Sequence, residues 1–218
     1  MALPRPLLQV ALDTKDLNTA LKTTRLVSDV VDVIEVGTIL CLAEGLGAIT
    51  SIRTLYPNKL ILADVRIAEA GAIIAKMVFD AQANWVSMLS SASLSTMEAV
   101  AEEAFSRGGD VQVELQDDWS MQKAKEWLAL GIKQVTIHRS RDAEVAHPNW
   151  DEKSIQQIRD LADQGFKVSV TGKLSTTDIP LFKGIPVFAF VAGRAIREAQ
   201  DPHAAAQHFM ASIRENWN

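Results

Sequence analysis

The chain has 218 residues, 48% of them hydrophobic and only 6% aromatic, which is enough to bury one sizeable core without disulfide or metal clips. Its 22 Lys+Arg against 27 Asp+Glu leave a formal net charge of −5, a balance that argues against nucleic acid as the main partner. No apolar run approaches the ~20 residues of a membrane span, and the lone Cys41 excludes an internal disulfide framework.

Short runs rich in Val, Ile and Leu recur along the chain: Leu7–Leu12, Val30–Val36, Leu60–Ala63, Trp85–Leu89, Val111–Leu115, Ile132–Ile137, Phe166–Val170 and Val187–Ala192. The stretches between them read as amphipathic helices. Ser120–Leu130, for example, places Met121, Ala124, Trp127 and Leu128 on one face at helical spacing. Glycines and Asn84 punctuate the joins. Near-continuous apolar strands alternating with helices indicate a parallel sheet covered on both faces. Eight such units in this length suit a single α/β domain over residues 1–218, a (β/α)8 TIM barrel. An open doubly wound sheet is the second choice. The opening MALPRPLLQVALD lacks a basic leader and a small-residue cleavage site, so no signal peptide is expected and a cytoplasmic location is.

Barrel chemistry sits at the C-terminal ends of the strands. The runs end, in order, at Asp13, Glu35, Asp64 (with Arg66 and Glu69 beyond), Ser90-Ser91, Glu114, His138 (then Arg139, Arg141 and Asp142), Thr171-Gly172-Lys173 and Gly193-Arg194. One polar terminus per strand is ordinary. Four carboxylates, several cations and a histidine converging on one mouth are less so. The last two loops, Val-Thr-Gly-Lys and Val-Ala-Gly-Arg, offer backbone N–H groups to an anion, and Arg194 adds a forked cation. A pair of tight βα turns explains either glycine singly; two on consecutive strands, one with Arg, favour a phosphate site. Glu35 and Asp64 end neighbouring strands and suit Mg²⁺, which takes oxygen ligands and keeps several waters. The plainer alternative is a structural salt bridge from either one to Arg66. His203 and His208 sit five apart on the final helix, wrong for a shared metal. Cys41 reads as a small buried hydrophobe, and Trp85, Trp119, Trp127, Trp150 and Trp217 as core or contact residues.

Leu8–Asp13, Ile34–Thr38, Val111–Leu115, His138–Ala143, Pro180–Ile185 and Ala192–Arg194 together resemble the 3-keto-L-gulonate 6-phosphate decarboxylases, a branch of the orotidine 5′-monophosphate decarboxylase suprafamily. The likeness runs from Leu7 to Trp217. It implies a homodimeric barrel with active sites at the interface and a small phosphorylated sugar acid as substrate, beside the absence of nucleic acid and membrane partners expected from charge and hydropathy. It implies Mg²⁺ on Glu35 and Asp64, and loss of CO₂ from a β-keto acid to leave a cis-enediolate. By the same resemblance Asp13 positions substrate or the strand-three cation, Glu114 holds substrate hydroxyls, and His138 and Arg141 manage the water that returns a proton. Thr171, Gly172, Gly193 and Arg194 hold the phosphate.

Three positions depart from the pattern. The suprafamily has Asp-x-Lys-x-x-Asp on strand three, whereas this chain has Asp64-Val65-Arg66-Ile67-Ala68-Glu69. Arg66 stabilises an anion but is a very poor proton donor, which excludes an orotidine-type protonation and leaves the keto-gulonate reaction open. Glu69, the residue expected to reach the partner's site, is one methylene longer than Asp. Lys173 stands where a second glycine is usual; were the backbone there to need φ > 0, lysine would be strained. The alternatives are an aldol reaction of the hexulose-6-phosphate synthase type through the same enediolate, and a sugar-phosphate-binding homologue weakened by Arg66 and Glu69.

Overall fold

The computed structural model describes residues 3–116, 119–139 and 150–217. Eight parallel strands close into a barrel in sequence order, with β8 pairing back onto β1. They are β1 (Leu7–Leu12), β2 (Val33–Val36), β3 (Leu60–Ile67), β4 (Trp85–Leu89), β5 (Asp110–Leu115), β6 (Gln134–His138), β7 (Lys167–Thr171) and β8 (Val187–Ala192). The closed order selects the (β/α)8 barrel over the open sheet. The helices are α1 (Leu17–Val27), α2 (Thr38–Glu44), α3 (Gly47–Leu55), α4 (Gly71–Asp80), α5 (Leu94–Ser106), α6 (Met121–Ala129), α7 (Glu152–Asp163), α8 (Arg194–Arg197) and α9 (Pro202–Asn216).

Helix starts follow local chemistry. Asp16, Ser93, Ser120, Asp151 and Asp201 each sit one residue ahead of a helix, and each side chain accepts a backbone N–H from three residues on. Each satisfies one of the donors that a helix start leaves unpaired. The helix expected over Ser120–Leu130 is therefore α6 with its two caps.

Strand side chains alternate between the two faces of the sheet. On β1, Leu8, Val10 and Leu12 are fully buried in the apolar layer between sheet and helices, while Gln9 and Ala11 face the barrel interior. Val33, Leu62 and Trp85, with Leu7, Leu60 and Phe188, plug the interior at the strand starts. One layer higher the filling turns polar: Gln9, Ser87, Gln112 and Ser169 are all buried. That change from apolar plug to polar layer sets the floor of the mouth.

Several expected boundaries move. Val30 and Val31 are tied by their N–H groups to Val27 O and close α1, so β2 begins at Val33. Ile132 and Phe166 similarly bond back to the preceding helices, and β6 and β7 start after them. The largest change is β3, which continues past Asp64 to Ile67. The register against β4 shifts between Ala63 and Ile67, and Arg66 takes φ 51°. This is a bulge, and the displaced Arg66 N–H is recovered by Ser87 Oγ at 2.9 Å. Asp64 and Arg66 thus belong to the strand and not to the loop beyond it. Among the described residues no single helix is long and apolar enough to cross a membrane.

Candidate active site

The C-terminal ends of the strands surround a cavity of about 720 Å³. Its wall includes Asp13, Glu35, Asp64, Arg66, Glu114, His138, Thr171, Gly172, Gly193 and Arg194, so ten of the twelve residues expected from the sequence come together. Glu69 is exposed and does not line this cavity. Arg141 lies outside the described residues.

Register explains the convergence. Glu35 pairs with Ala11 on one side and with Leu62 on the other, two residues before Asp64 on the same face of the strand. Glu35 is buried, and its Oε2 accepts a 2.6 Å hydrogen bond from Gln9 Nε2 in the polar layer below. Burial, and then the charges of Asp64, Asp13 and Glu114, push its carboxyl well above the ordinary range despite that bond. Asp64 is 7% exposed and held from two sides: Ser87 Oγ donates to Oδ1 at 2.7 Å, and Thr38 Oγ1 donates to Oδ2 at 2.6 Å. Asp13 lies against Gly37, where an added Cβ would come within 2.9 Å of the carboxyl carbon. The Val-Gly-Thr sequence after Glu35 therefore has two jobs, room for Asp13 and a clamp on Asp64.

Arg66 sits among these carboxylates. Its Nε is 3.2 Å from Glu114 Oε2 and 3.5 Å from Asp64 Oδ2. Neither approach is aligned as a hydrogen bond, so among the described residues Nε–H is a buried donor without an acceptor and both contacts are charge contacts only. Burial alone would lower the guanidinium's pKa, but Asp64, Glu114, Glu35 and Asp13 outweigh it and raise the value. The structural salt bridge weighed from the sequence exists, to Asp64, and it does not displace either residue from the mouth. The other oxygen of Glu114, Oε1, lies 2.9 Å from His138 Nδ1. A carboxylate only accepts, so this contact places the imidazole hydrogen on Nδ1 and leaves Nε2 to take up or release a proton. Arg66, Glu114 and His138 form one chain of polar contacts across three strands.

The far wall is built by the β7 and β8 ends. Thr171 Oγ1 donates to Val191 O at 3.2 Å, tying the two strands. Gly172 has φ 113°, and an added Cβ would lie 2.9 Å from Arg139 Cα, so only glycine fits. Arg139 straps the same loop: its Nη2 donates to Gly172 O at 2.8 Å, and its guanidinium lies 5.0 Å from the Trp150 ring centre. Lys173 follows at φ 49°, a left-handed conformation on a non-glycine residue, and its exposed side chain lines the cavity.

Glu35 and Asp64 are buried oxygen donors on adjacent strands, and the like charge that raises Glu35 is what a divalent cation relieves. Two carboxylates with open positions are the donor set Mg²⁺ takes when waters and substrate complete its shell. Among the described residues no group of three or more His, Cys, Asp and Glu side chains forms a fuller metal cage. Cys41 is not a rival nucleophile: burial pushes its thiol up to about 12, and Sγ lies 3.4 Å from Val36 O. Gln9, Thr38 and Ser87, which orient the carboxylates, were not singled out from the sequence; Gln9 and Ser87 are visible there as polar residues inside apolar runs.

The chain is similar to known proteins along nearly its whole length. The family described as Orotidine 5′-phosphate decarboxylase / HUMPS matches residues 6–209. The chain is 49% identical over 212 residues to 3-keto-L-gulonate-6-phosphate decarboxylase UlaD of Escherichia coli O139:H28, covering 97% of this chain and 98% of the relative. It is similar, at TM-score 0.96 and 40% identity, to the crystal structure of KGPDC from Streptococcus mutans in complex with D-R5P, covering 99% and 100% of the two chains. A crystal structure of 3-hexulose-6-phosphate synthase follows at TM-score 0.88 and 34% identity, covering 95% and 99%. Matched along nearly its whole length in sequence and in fold, the chain belongs to the Orotidine 5′-phosphate decarboxylase / HUMPS family.

Proposed function

We propose that this protein is a carboxy-lyase that converts 3-keto-L-gulonate 6-phosphate to L-xylulose 5-phosphate and CO₂. The observation that carries the reading is the Arg66–Glu114–His138 chain of contacts and the Glu35–Asp64 pair lining one cavity. The relatives named as 3-keto-L-gulonate-6-phosphate decarboxylases support the choice of substrate.

In this reading the bond from the β-keto acid's carbon to its carboxylate breaks, CO₂ leaves, and the electron pair stays on the sugar as a cis-enediolate. Glu35 and Asp64 hold Mg²⁺, which when bound supplies a Lewis acid for the developing oxyanion. Arg66, a permanently charged donor with an unmatched N–H, stabilises the same charge without giving up a proton. His138, its Nδ1 engaged by Glu114, uses Nε2 to hold the water whose proton goes to the new carbon, with Arg141 assisting. The Thr171-Gly172 and Gly193-Arg194 turns hold the phosphate.

The active species in this reading is a homodimer. Glu69 is exposed just ahead of α4, outside its own cavity, and Leu42, Ile73 and Met77 on α2 and α4 are 83%, 67% and 52% exposed. An apolar surface of this kind beside the mouth fits a second copy, with Glu69 reaching the neighbouring site.

The test is CO₂ release from 3-keto-L-gulonate 6-phosphate with Mg²⁺ and with EDTA. Turnover that needs the metal supports the assignment. The similarity to 3-hexulose-6-phosphate synthase favours a second reading, aldol addition of formaldehyde to ribulose 5-phosphate through the same enediolate. Formaldehyde consumption without CO₂ release would replace the first reading with this one, and tight sugar-phosphate binding without either turnover would leave a binding protein.

A further inference from the structure

We propose that Arg197 is a second phosphate-binding side chain of the cavity and selects substrates whose phosphate is a dianion. The inference rests on the reading that the substrate is a sugar phosphate. Arg197 lies on α8, one turn beyond Arg194, and lines the same cavity. The two arginines differ in setting: Arg194 is exposed at the rim, whereas the side chain of Arg197 is only 13% exposed. Its Nε is enclosed and, among the described residues, has no hydrogen-bond partner. Among the described residues its one ion pair is to Glu198 Oε1, 3.2 Å from Nη2, and that carboxylate is 59% exposed.

A guanidinium keeps its charge at any working pH, so drawing one out of water is costly unless an anion meets it. A solvent-exposed carboxylate offsets little of that cost. Asp178, the other acidic group on this wall, is engaged within its own loop, where its Oδ2 accepts from Ser175 N and Ser175 Oγ, both at 2.7 Å. The Arg197 backbone N–H donates to Gly193 O at 2.9 Å, so Arg197 closes the turn assigned to the phosphate and lines the same cavity as Gly193 and Arg194. A phosphate dianion there meets one cation at the rim and one inside. A sugar without phosphate leaves the inner charge unmatched, which makes Arg197 a device for rejecting it.

The test uses the full chain with Arg197→Gln and Arg197→Lys, reading KM and kcat for the phosphorylated substrate and Ki for inorganic phosphate. Arg197→Gln should raise KM and Ki together by about tenfold or more, with kcat within about threefold, and Arg197→Lys should fall between. In the absence of phosphate the Arg197→Gln protein should melt no lower than the parent, while the gain in Tm on adding phosphate shrinks. KM and Ki within about twofold of the parent for Arg197→Gln would overturn the proposal. So would failure of both variants to fold, which would make Arg197 a scaffold residue. A parent that neither turns over the phosphorylated acid nor binds phosphate refutes the underlying function; a parent that does both beside unaltered variants refutes only the role of Arg197.

Discussion

Replacing Lys173 with glycine should make the protein more stable and its substrate binding weaker. Lys173 sits at φ 49° directly after Gly172 at φ 113°, so two successive residues hold positive φ. Left-handed backbone costs an L-residue with a side chain roughly 1–2 kcal/mol. Glycine escapes that cost but gives back about 0.4–1 kcal/mol, because it frees the unfolded chain. The Lys173 side chain is exposed, so little packing is lost with it. The net gain is about 0.5–1 kcal/mol, which for a chain of this size is a rise in Tm of roughly 1–4 °C. The same change removes a cation from the cavity wall beside the proposed phosphate turns, so KM for a phosphorylated substrate should rise several-fold. Scanning calorimetry with steady-state kinetics on the parent, Lys173→Gly and Lys173→Ala reads both effects. Alanine keeps the backbone cost and loses the charge, so it should raise KM without raising Tm. A Lys173→Gly protein that melts at or below the parent would show that the loop holds no strain. An unchanged KM in both variants would show that the lysine takes no part in binding.

The remaining predictions concern the carboxylates and the strand-three cation. Glu35→Gln should abolish Mg²⁺-dependent turnover and raise Tm without metal, because a buried charge beside Asp64 disappears; Mg²⁺ should raise the Tm of the parent but not of the variant, and full activity in EDTA would refute the metal assignment. Arg66→Lys keeps the same strained backbone and a point charge better matched to a localised oxyanion, so the Arg66→Lys, Glu69→Asp double variant should have a kcat/KM at least equal to the parent. A double variant tenfold worse would mean the pocket is tuned to Arg and Glu and shaped for another sugar phosphate. Mixing unfolded Glu35→Gln and Glu69→Gln chains and refolding them together should recover about a quarter of parental activity, since half the dimers are mixed and each has one intact site. No recovery, with dimers confirmed by sedimentation, would place Glu69 outside the partner's site.

The barrel was legible because its signal is local. Each strand announces itself as a run of Val, Ile and Leu, and helix starts follow from a capping Ser or Asp just ahead of an amphipathic stretch. Strand starts were less legible, because residues such as Val31 and Phe166 are apolar for a different purpose: each closes the helix before it. The extension of β3 could not be read at all. Arg66 stays in the strand because Ser87 on the neighbouring strand accepts its displaced N–H, and no feature around Arg66 itself records that.

The site was legible as a set of strand-end residues and illegible as a set of contacts, and the chain's own period explains both. Gln9 to Glu35 and Thr38 to Asp64 span 26 residues, Glu114 to His138 spans 24, and Asp64 to Ser87 spans 23. Each span is one βα unit, so polar residues about 25 apart sit at similar heights on adjacent strands or, like Thr38, just past a strand's end, and their side chains meet. Searched at that spacing, Gln9, Thr38 and Ser87 emerge as partners of the carboxylates before any coordinates are known. The Arg66 to Glu114 contact breaks the rule, because it reaches past β4 to β5. The bulge sets Arg66 apart from the regular register, and Ser87 on β4 accepts its backbone N–H at 2.9 Å. The link between the carboxylate pair and His138 therefore depends on one small side chain and one left-handed residue, features that no spacing rule along the chain contains.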